Sequence, residues 1–172
     1  YSNLKEKLLY TFNSKNIIND ATSFLKRQSK KLTLKNELER YFKKIVKAKI
    51  IRFDHHLSHI ASSYYLSGFK NATGVSIDGF GDFCSLAIAS CKGKKIEILA
   101  RTFYPNSLGV FYEGITQILG FNNYGDEYKV MGLSAYGKPV FKKKLEKIIK
   151  FNEISFIKLN LEYFLHTQKN FQ

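Results

Sequence analysis

The chain has 172 residues, 44% hydrophobic and 24% charged, so it can bury the core of one domain, or of a piece of a larger one, and is not a disordered tail. No apolar run reaches the roughly 18 residues of a membrane-spanning helix, and no secretory signal is visible, so a membrane partner is not expected. The net charge of +14 sits in the flanks: residues 1–50 carry 13 Lys/Arg against 4 Asp/Glu, residues 138–172 carry 8 against 3, and residues 51–137 carry 7 of each. Solvated lysine-rich faces account for this pattern. Attraction to polyanions is expected to be non-specific and salt-sensitive, with no specific nucleic-acid partner.

Residues 1–33 are polar and loosely periodic, and predict one or two short helices. From Leu34, the residues Leu34, Leu38, Phe42, Ile45 and Val46 share a face at helical spacing, which predicts a helix ending near Lys49. Ile50–Phe53 reads as a short strand. Asp54 is placed to cap a helix from His55 to about Leu66. Three strands follow, over Thr73–Ile77, Phe83–Ser90 and Lys95–Phe103, and their short turns predict an antiparallel meander. The middle strand holds Cys84, and Cys91 lies just past its end. Two cysteines are too few for a disulfide scaffold, and they read as buried thiols in a reducing cytoplasm, the expected location. Leu108–Leu119 predicts a helix with Gly120 as its C-cap. Residues 121–137 suggest a structured loop over a site. Val140–Lys150 predicts a basic amphipathic helix, and 154–166 one more strand or helix. The organisation is a basic helical segment over 1–49, a motif-bearing core over 50–139, and a continuation of the same domain over 140–172. The class is α/β.

His55 and His59 lie one helical turn apart and point the same way, with His56 turned about 100° from them. Two such imidazoles can chelate one divalent cation. The zinc-protease helix is disfavoured, because its glutamate beside the first histidine is here His56. Asp78, at the end of a predicted strand, is the best third ligand. Two histidines and a carboxylate with open positions suit Fe(II), with Zn as second choice. The same spacing also suits a surface or core histidine cluster.

In Asp78-Gly79-Phe80-Gly81-Asp82, alternate glycines let the backbone approach a ligand, and exposed N–H groups suit phosphate oxygens. A plain hairpin turn reads equally well from Asp-Gly. In Gly125-Asp126-Glu127-Tyr128-Lys129, an extended backbone would point Glu127 and Lys129 to one side, toward a ribose or into an ion pair. Tyr124, Tyr128 and Tyr136 could stack on a base or pack the loop.

Four strings in order carry a resemblance. His55-His56-Leu57-Ser58-His59-Ile60-Ala61-Ser62-Ser63, Ser76-Ile77-Asp78-Gly79-Phe80-Gly81-Asp82, Phe103-Tyr104-Pro105-Asn106-Ser107-Leu108-Gly109 and Glu127-Tyr128-Lys129-Val130-Met131-Gly132-Leu133-Ser134-Ala135-Tyr136-Gly137 resemble motifs of the O-carbamoyltransferases of the NodU/CmcH type. Asn106 stands where the family has histidine, and Ala135 where it has proline. The resemblance implies an actin-like ATPase domain, incomplete here, with a mixed sheet and flanking helices, related to the catalytic subunit of the tRNA threonylcarbamoyl transferases. It implies that His55 and His59 bind iron and that Asp78 lies by the metal and the nucleotide. The nucleotide-binding candidates are Asp78, Gly79, Phe80, Gly81, Asp82, Gly109, Glu113, Gly125, Glu127 and Lys129. The implied chemistry is carbamoyl-adenylate formation from carbamoyl phosphate and ATP in a YrdC-like domain, then carbamoyl transfer to a small-molecule hydroxyl. That YrdC-like domain and an upstream strand are absent from this chain, which opens at Tyr1 without an initiator methionine. A fragment of an enzyme is therefore expected. A tRNA-directed relative and a truncated non-catalytic module are the competing expectations, and no catalytic residue is assigned.

Overall fold

A computed structural model describes residues 3–13, 34–153 and 156–167. The chain divides into two units, Tyr1–Phe53 and Asp54–Gln172. In the first, α1 spans Leu4–Asn13 and α2 spans Leu34–Phe42. The rest of the expected N-terminal helices, over 14–33, falls outside the described residues. Helix α2 stops well short of Lys49. Lys43 takes φ +50°, a left-handed conformation that ends a right-handed helix. Past that point the Val46 N–H donates to the Glu39 carboxylate at 3.1 Å. The strand expected over 50–53 does not form: these residues have no ladder partner among the described residues, and Ile51 and Phe53 are exposed.

The second unit begins with α3, His55–Tyr64, capped as its sequence predicts: the Asp54 carboxylate accepts the Leu57 N–H at 2.9 Å. The other Asp54 oxygen accepts from the Arg101 guanidinium at 2.9 Å, in an ion pair whose side chains are only 19% and 13% exposed. Burial pushes the Asp54 carboxyl up. The Arg101 hydrogen bond, the Leu57 N–H and the Arg101 charge outweigh it and hold the pKa below its ordinary value.

A depressed folded-state pKa gives stability that is present above the unfolded value, about 3.9, and is lost as pH falls through the folded value. Asp54→Asn keeps a capping oxygen but removes the ion pair. It is expected to cost about 1–3 kcal/mol at neutral pH. The gap to wild type in thermal melts should close as pH drops below that range, and a gap independent of pH would show that the carboxylate charge is not responsible.

Helix α3 lies on the meander formed by β1 (Asn71–Gly81), β2 (Cys84–Lys92) and β3 (Lys95–Phe103), antiparallel in the order β1-β2-β3. Pairing of Ala72 with Cys91, Gly74 with Ala89 and Ser76 with Ala87 puts small residues on one face. There they receive His56, Ile60 and Tyr64, the buried stripe of α3 at i, i+4 and i+8. The approach is close: a Cβ on Gly74 would lie 2.5 Å from Ile60 Cγ2. Cys84 and Cys91 are free thiols, both buried, as expected.

The hairpin between β1 and β2 does not turn at Asp78-Gly79. Those residues stay in β1, past a register shift after Ile77. The chain reverses at Asp82 and Phe83, with φ of +52° and +73°, the hand that matches the twist of two-residue hairpins.

The other face of the sheet packs through Leu86 on Ile149, Ile157, Leu159 and Phe164. Here α4 (Leu108–Ile118) is capped by Ser107, which accepts the Val110 N–H at 3.1 Å, and the chain leaves it through Gly120 at φ +90°. Residues 121–137, expected as a loop, contain α5 (Glu127–Ser134). The helix expected over 140–150 is a single turn, α6 (Lys142–Leu145), followed by β4 (Ile149–Asn152). Ile149 is drawn into the core beside Leu86, so tertiary packing overrides the lysine-rich helical pattern. Strand β5 (Phe156–Leu159) pairs with β4, and a 3-10 turn spans Leu161–Tyr163. No helix among the described residues is long and apolar enough to cross a membrane.

Candidate metal centre

The first turn of α3 and the far end of β1 meet at one point. His55 Nε2 lies 2.7 Å from Asp78 Oδ2, His59 Nε2 lies 3.6 Å from the same oxygen, and the two Nε2 atoms are 3.1 Å apart. Ligand bonds of about 2.0–2.2 Å to a common cation put neighbouring ligand atoms roughly 3 Å apart, which these separations match.

Protons alone serve the cluster poorly. Each imidazole nitrogen offers either one N–H or one lone pair. If His55 Nε2 donates to Asp78, it has no lone pair for the His59 nitrogen 3.1 Å away. If it accepts from His59, its lone pair faces a carboxylate. A cation satisfies all three atoms at once. Among the described residues these three are the one group of this kind, and their side chains remain 37–55% exposed, open to solvent.

The surroundings support the arrangement. The His55 hydrogen bond is the largest influence on Asp78. With the Gly79 N–H at 2.7 Å and the charges of His55 and His59, it outweighs desolvation and holds the carboxyl below its ordinary value. Asp82 accepts the His55 backbone N–H at 3.3 Å. Gly81 sits directly under the His55 ring, where any Cβ would overlap Cδ2, Cγ and Nε2. On the other side of the strand end, the Ser107 hydroxyl lies 3.0 Å from the Asp78 carbonyl and 2.7 Å from the Gly79 carbonyl, fixing the start of α4 against the loop.

Beside Asp78 opens a cleft of about 480 Å³ lined by Ile77, Gly79, Leu108, Gly109, Tyr112, Glu113, Tyr124, Gly125 and Glu127. Asp78, Gly79, Gly109, Glu113, Gly125 and Glu127, six of the ten nucleotide candidates, thus share one cavity. Phe80, Gly81, Asp82 and Lys129 do not line it. Phe80 packs on Tyr104 at a 5.2 Å centroid distance. Lys129 pairs with Asp126 at 2.7 Å, because on a helix residues 127 and 129 diverge and 126 and 129 converge. The charged groups of the lining, Asp78, Glu113 and Glu127, are all acidic. Sequence reasoning missed Tyr112, although it lies one helical turn beyond Leu108 and next to Glu113. A second cavity of about 530 Å³, lined mainly by apolar residues of α4 with Ile148 and Tyr163–His166, contains none of the three cluster residues.

Fold and site together define a mixed α/β domain in which a helix and a strand end bring two imidazoles to a carboxylate that also lines one cleft. The family described as "Carbamoyltransferase N-terminus" matches residues 4–171, and the chain belongs to that family. It is 41% identical over 110 residues to the nodulation protein NolNO of Sinorhizobium fredii, a match covering 63% of this chain and 16% of that one. It is 43% identical over 86 residues to the nodulation protein NolO of Bradyrhizobium diazoefficiens, covering 50% and 16%. An uncharacterized protein of Methanocaldococcus jannaschii is 41% identical over 95 residues, covering 55% and 18%. The matched stretch is thus less than a fifth of the length of each of these relatives.

Proposed function

We propose that the chain is part of an O-carbamoyltransferase that passes a carbamoyl group from carbamoyl phosphate, through a carbamoyl-adenylate made with ATP, to a hydroxyl of a sugar or natural product. The observation that carries this reading is the convergence of His55, His59 and Asp78, with Asp78 also lining a cleft that five further candidate residues share, in a chain of the carbamoyltransferase family. The meander and following helix are read as part of an actin-like ATPase domain. A YrdC-like domain, in the same longer protein or an adjacent one, would supply the adenylate.

His55, His59 and Asp78 would hold Fe(II), or Zn. When bound, such a cation supplies polarisation of a carbonyl or phosphate oxygen. The chain's own groups have separate tasks. Glu113 and Glu127 offer acceptors for sugar or ribose hydroxyls, as acidic side chains do at nucleotide sites. Tyr112 and Tyr124 offer flat faces for a ring. The backbone at Gly79 leaves room for close approach, and fixed placement of two reactants in one cleft supplies much of the rate. An acidic lining repels bare phosphate, so the positive charge that phosphate recognition needs would come from the cation centre.

The test is metal content. The purified chain, reconstituted with Fe(II) or Zn, is expected to hold one ion per chain by elemental analysis. His55→Ala, His59→Ala and Asp78→Asn should each lose most of it. Equal metal content in wild type and all three variants would refute the assignment.

A further inference from the structure

We infer that His56, the histidine that does not face the cluster, is the positioning residue of the centre. The inference rests on the reading of His55, His59 and Asp78 as metal ligands. His56 is fully buried, and both of its ring nitrogens are engaged. Nε2 lies 2.9 Å from the Cys84 carbonyl, which can only accept, so Nε2–H is the donor. In the neutral ring Nδ1 is then the acceptor, and the Ser76 hydroxyl donates to it at 2.7 Å.

The two partners flank the loop that carries the site. Ser76 lies two residues before Asp78 on β1, just ahead of the register shift that follows Ile77. Cys84 opens β2 opposite Gly81. One side chain therefore ties the first turn of α3 to both strands of the hairpin that carries the carboxylate ligand and the glycine under His55.

The rest of the α3 stripe does not provide this constraint. Ile60 packs against Gly74 by shape alone. Tyr64 is hydrogen-bonded, to the Lys70 and Gly93 carbonyls, but two turns further along the helix. Apolar packing is non-directional and tolerates a small roll of the helix. A ligand set works only within about 0.5 Å and 10–20° of its geometry. Two directional hydrogen bonds at the level of the ligands fix the roll of α3. They do so without using either ligand histidine, so the set is assembled before a cation arrives.

Co(II) is the probe, titrated into the full chain and followed by its visible absorption, with circular dichroism and thermal melts alongside. Wild type is expected to bind one Co(II). His56→Leu, which keeps the stripe apolar, should bind it about 10–100-fold more weakly, the range for lost support of metal ligands, with an altered visible spectrum. Ser76→Ala removes one of the two hydrogen bonds with little change in volume. It should weaken binding several-fold at unchanged stoichiometry, and it carries the test should His56→Leu fail to fold. Ile60→Val, on the same stripe, is expected to lower the melting midpoint while leaving Co(II) affinity and spectrum at wild-type values. Wild-type affinity and spectrum in folded Ser76→Ala and His56→Leu would overturn the positioning role. So would an equal loss of affinity in Ile60→Val. No Co(II) uptake by wild type would overturn the metal reading itself, and this inference with it.

Discussion

Replacing Gly81 with alanine is expected to disable the proposed metal centre while leaving the fold intact. The added methyl has no space of its own: it would occupy the position of the His55 imidazole. The His55 side chain is more than a third exposed, so the ring can swing outward and relieve the clash at little cost to the core. It then no longer faces Asp78 and His59. Two of the three proposed ligands then remain in place, and affinity for Zn or Co(II) should fall by at least a factor of ten, within the range of about 10–100-fold for ligands that lose their support. Circular dichroism should match wild type, and the melting midpoint should move little. Retained metal affinity in Gly81→Ala would show that the orientation of His55 seen here is not the one that binds.

Gly109→Ala is expected to lower stability, with a sign opposite to helix propensity. In an open helix this change is favourable by about 1 kcal/mol. At the start of α4, however, a Cβ on residue 109 would lie 2.7 Å from the Asp78 carbonyl oxygen and the Gly79 nitrogen. Those are backbone atoms, held there by Ser107, and they cannot rotate away as a side chain can. Overpacking of this kind costs about 1–3 kcal/mol. Gly132, within α5, makes the control, because a Cβ there meets nothing within 4 Å. Gly132→Ala should stabilise by about 0.4–1 kcal/mol. Denaturant unfolding of the two variants should therefore move in opposite directions, and a Gly109→Ala variant as stable as wild type would mean that α4 does not clamp the Asp78 loop.

The parts of the site that were legible from sequence are those set by local periodicity. One helical turn between His55 and His59 fixes their common direction, and the Asp-Gly after the regular strand marks Asp78, although β1 runs on past it to Gly81. The α3 cap was legible because an aspartate before an apolar helix has few other uses. His56 shows the limit. Its turn away from the pair could be read, but its partners lie 20 and 28 residues on, and only the β1–β2 register decides that they meet it. Element boundaries failed where tertiary forces decide. Nothing local announces that Lys43 will adopt a left-handed conformation. Nothing in the lysine pattern of 140–150 announces that Ile149 will be taken into the core as part of a strand. The reading of 121–137 failed in the other direction: its glycines and charges suggested irregular chain, yet eight residues of it coil into α5, and the Glu127–Lys129 pairing gave way to Asp126–Lys129.

The two thiols of β2 give this architecture a natural clock. Cys91 belongs to the cluster covered by Ile60 and Tyr64 of α3. Cys84 is wholly buried as well, and burial raises its thiol pKa despite the nearby Arg101. An alkylating reagent thus reaches Cys91 only when the helix lifts from the sheet, a local opening with its own free energy. The rate at which Cys91 of the native chain is alkylated therefore reports how often the layer bearing His55 and His59 comes apart, and a bound ion that braces helix to strand would slow it.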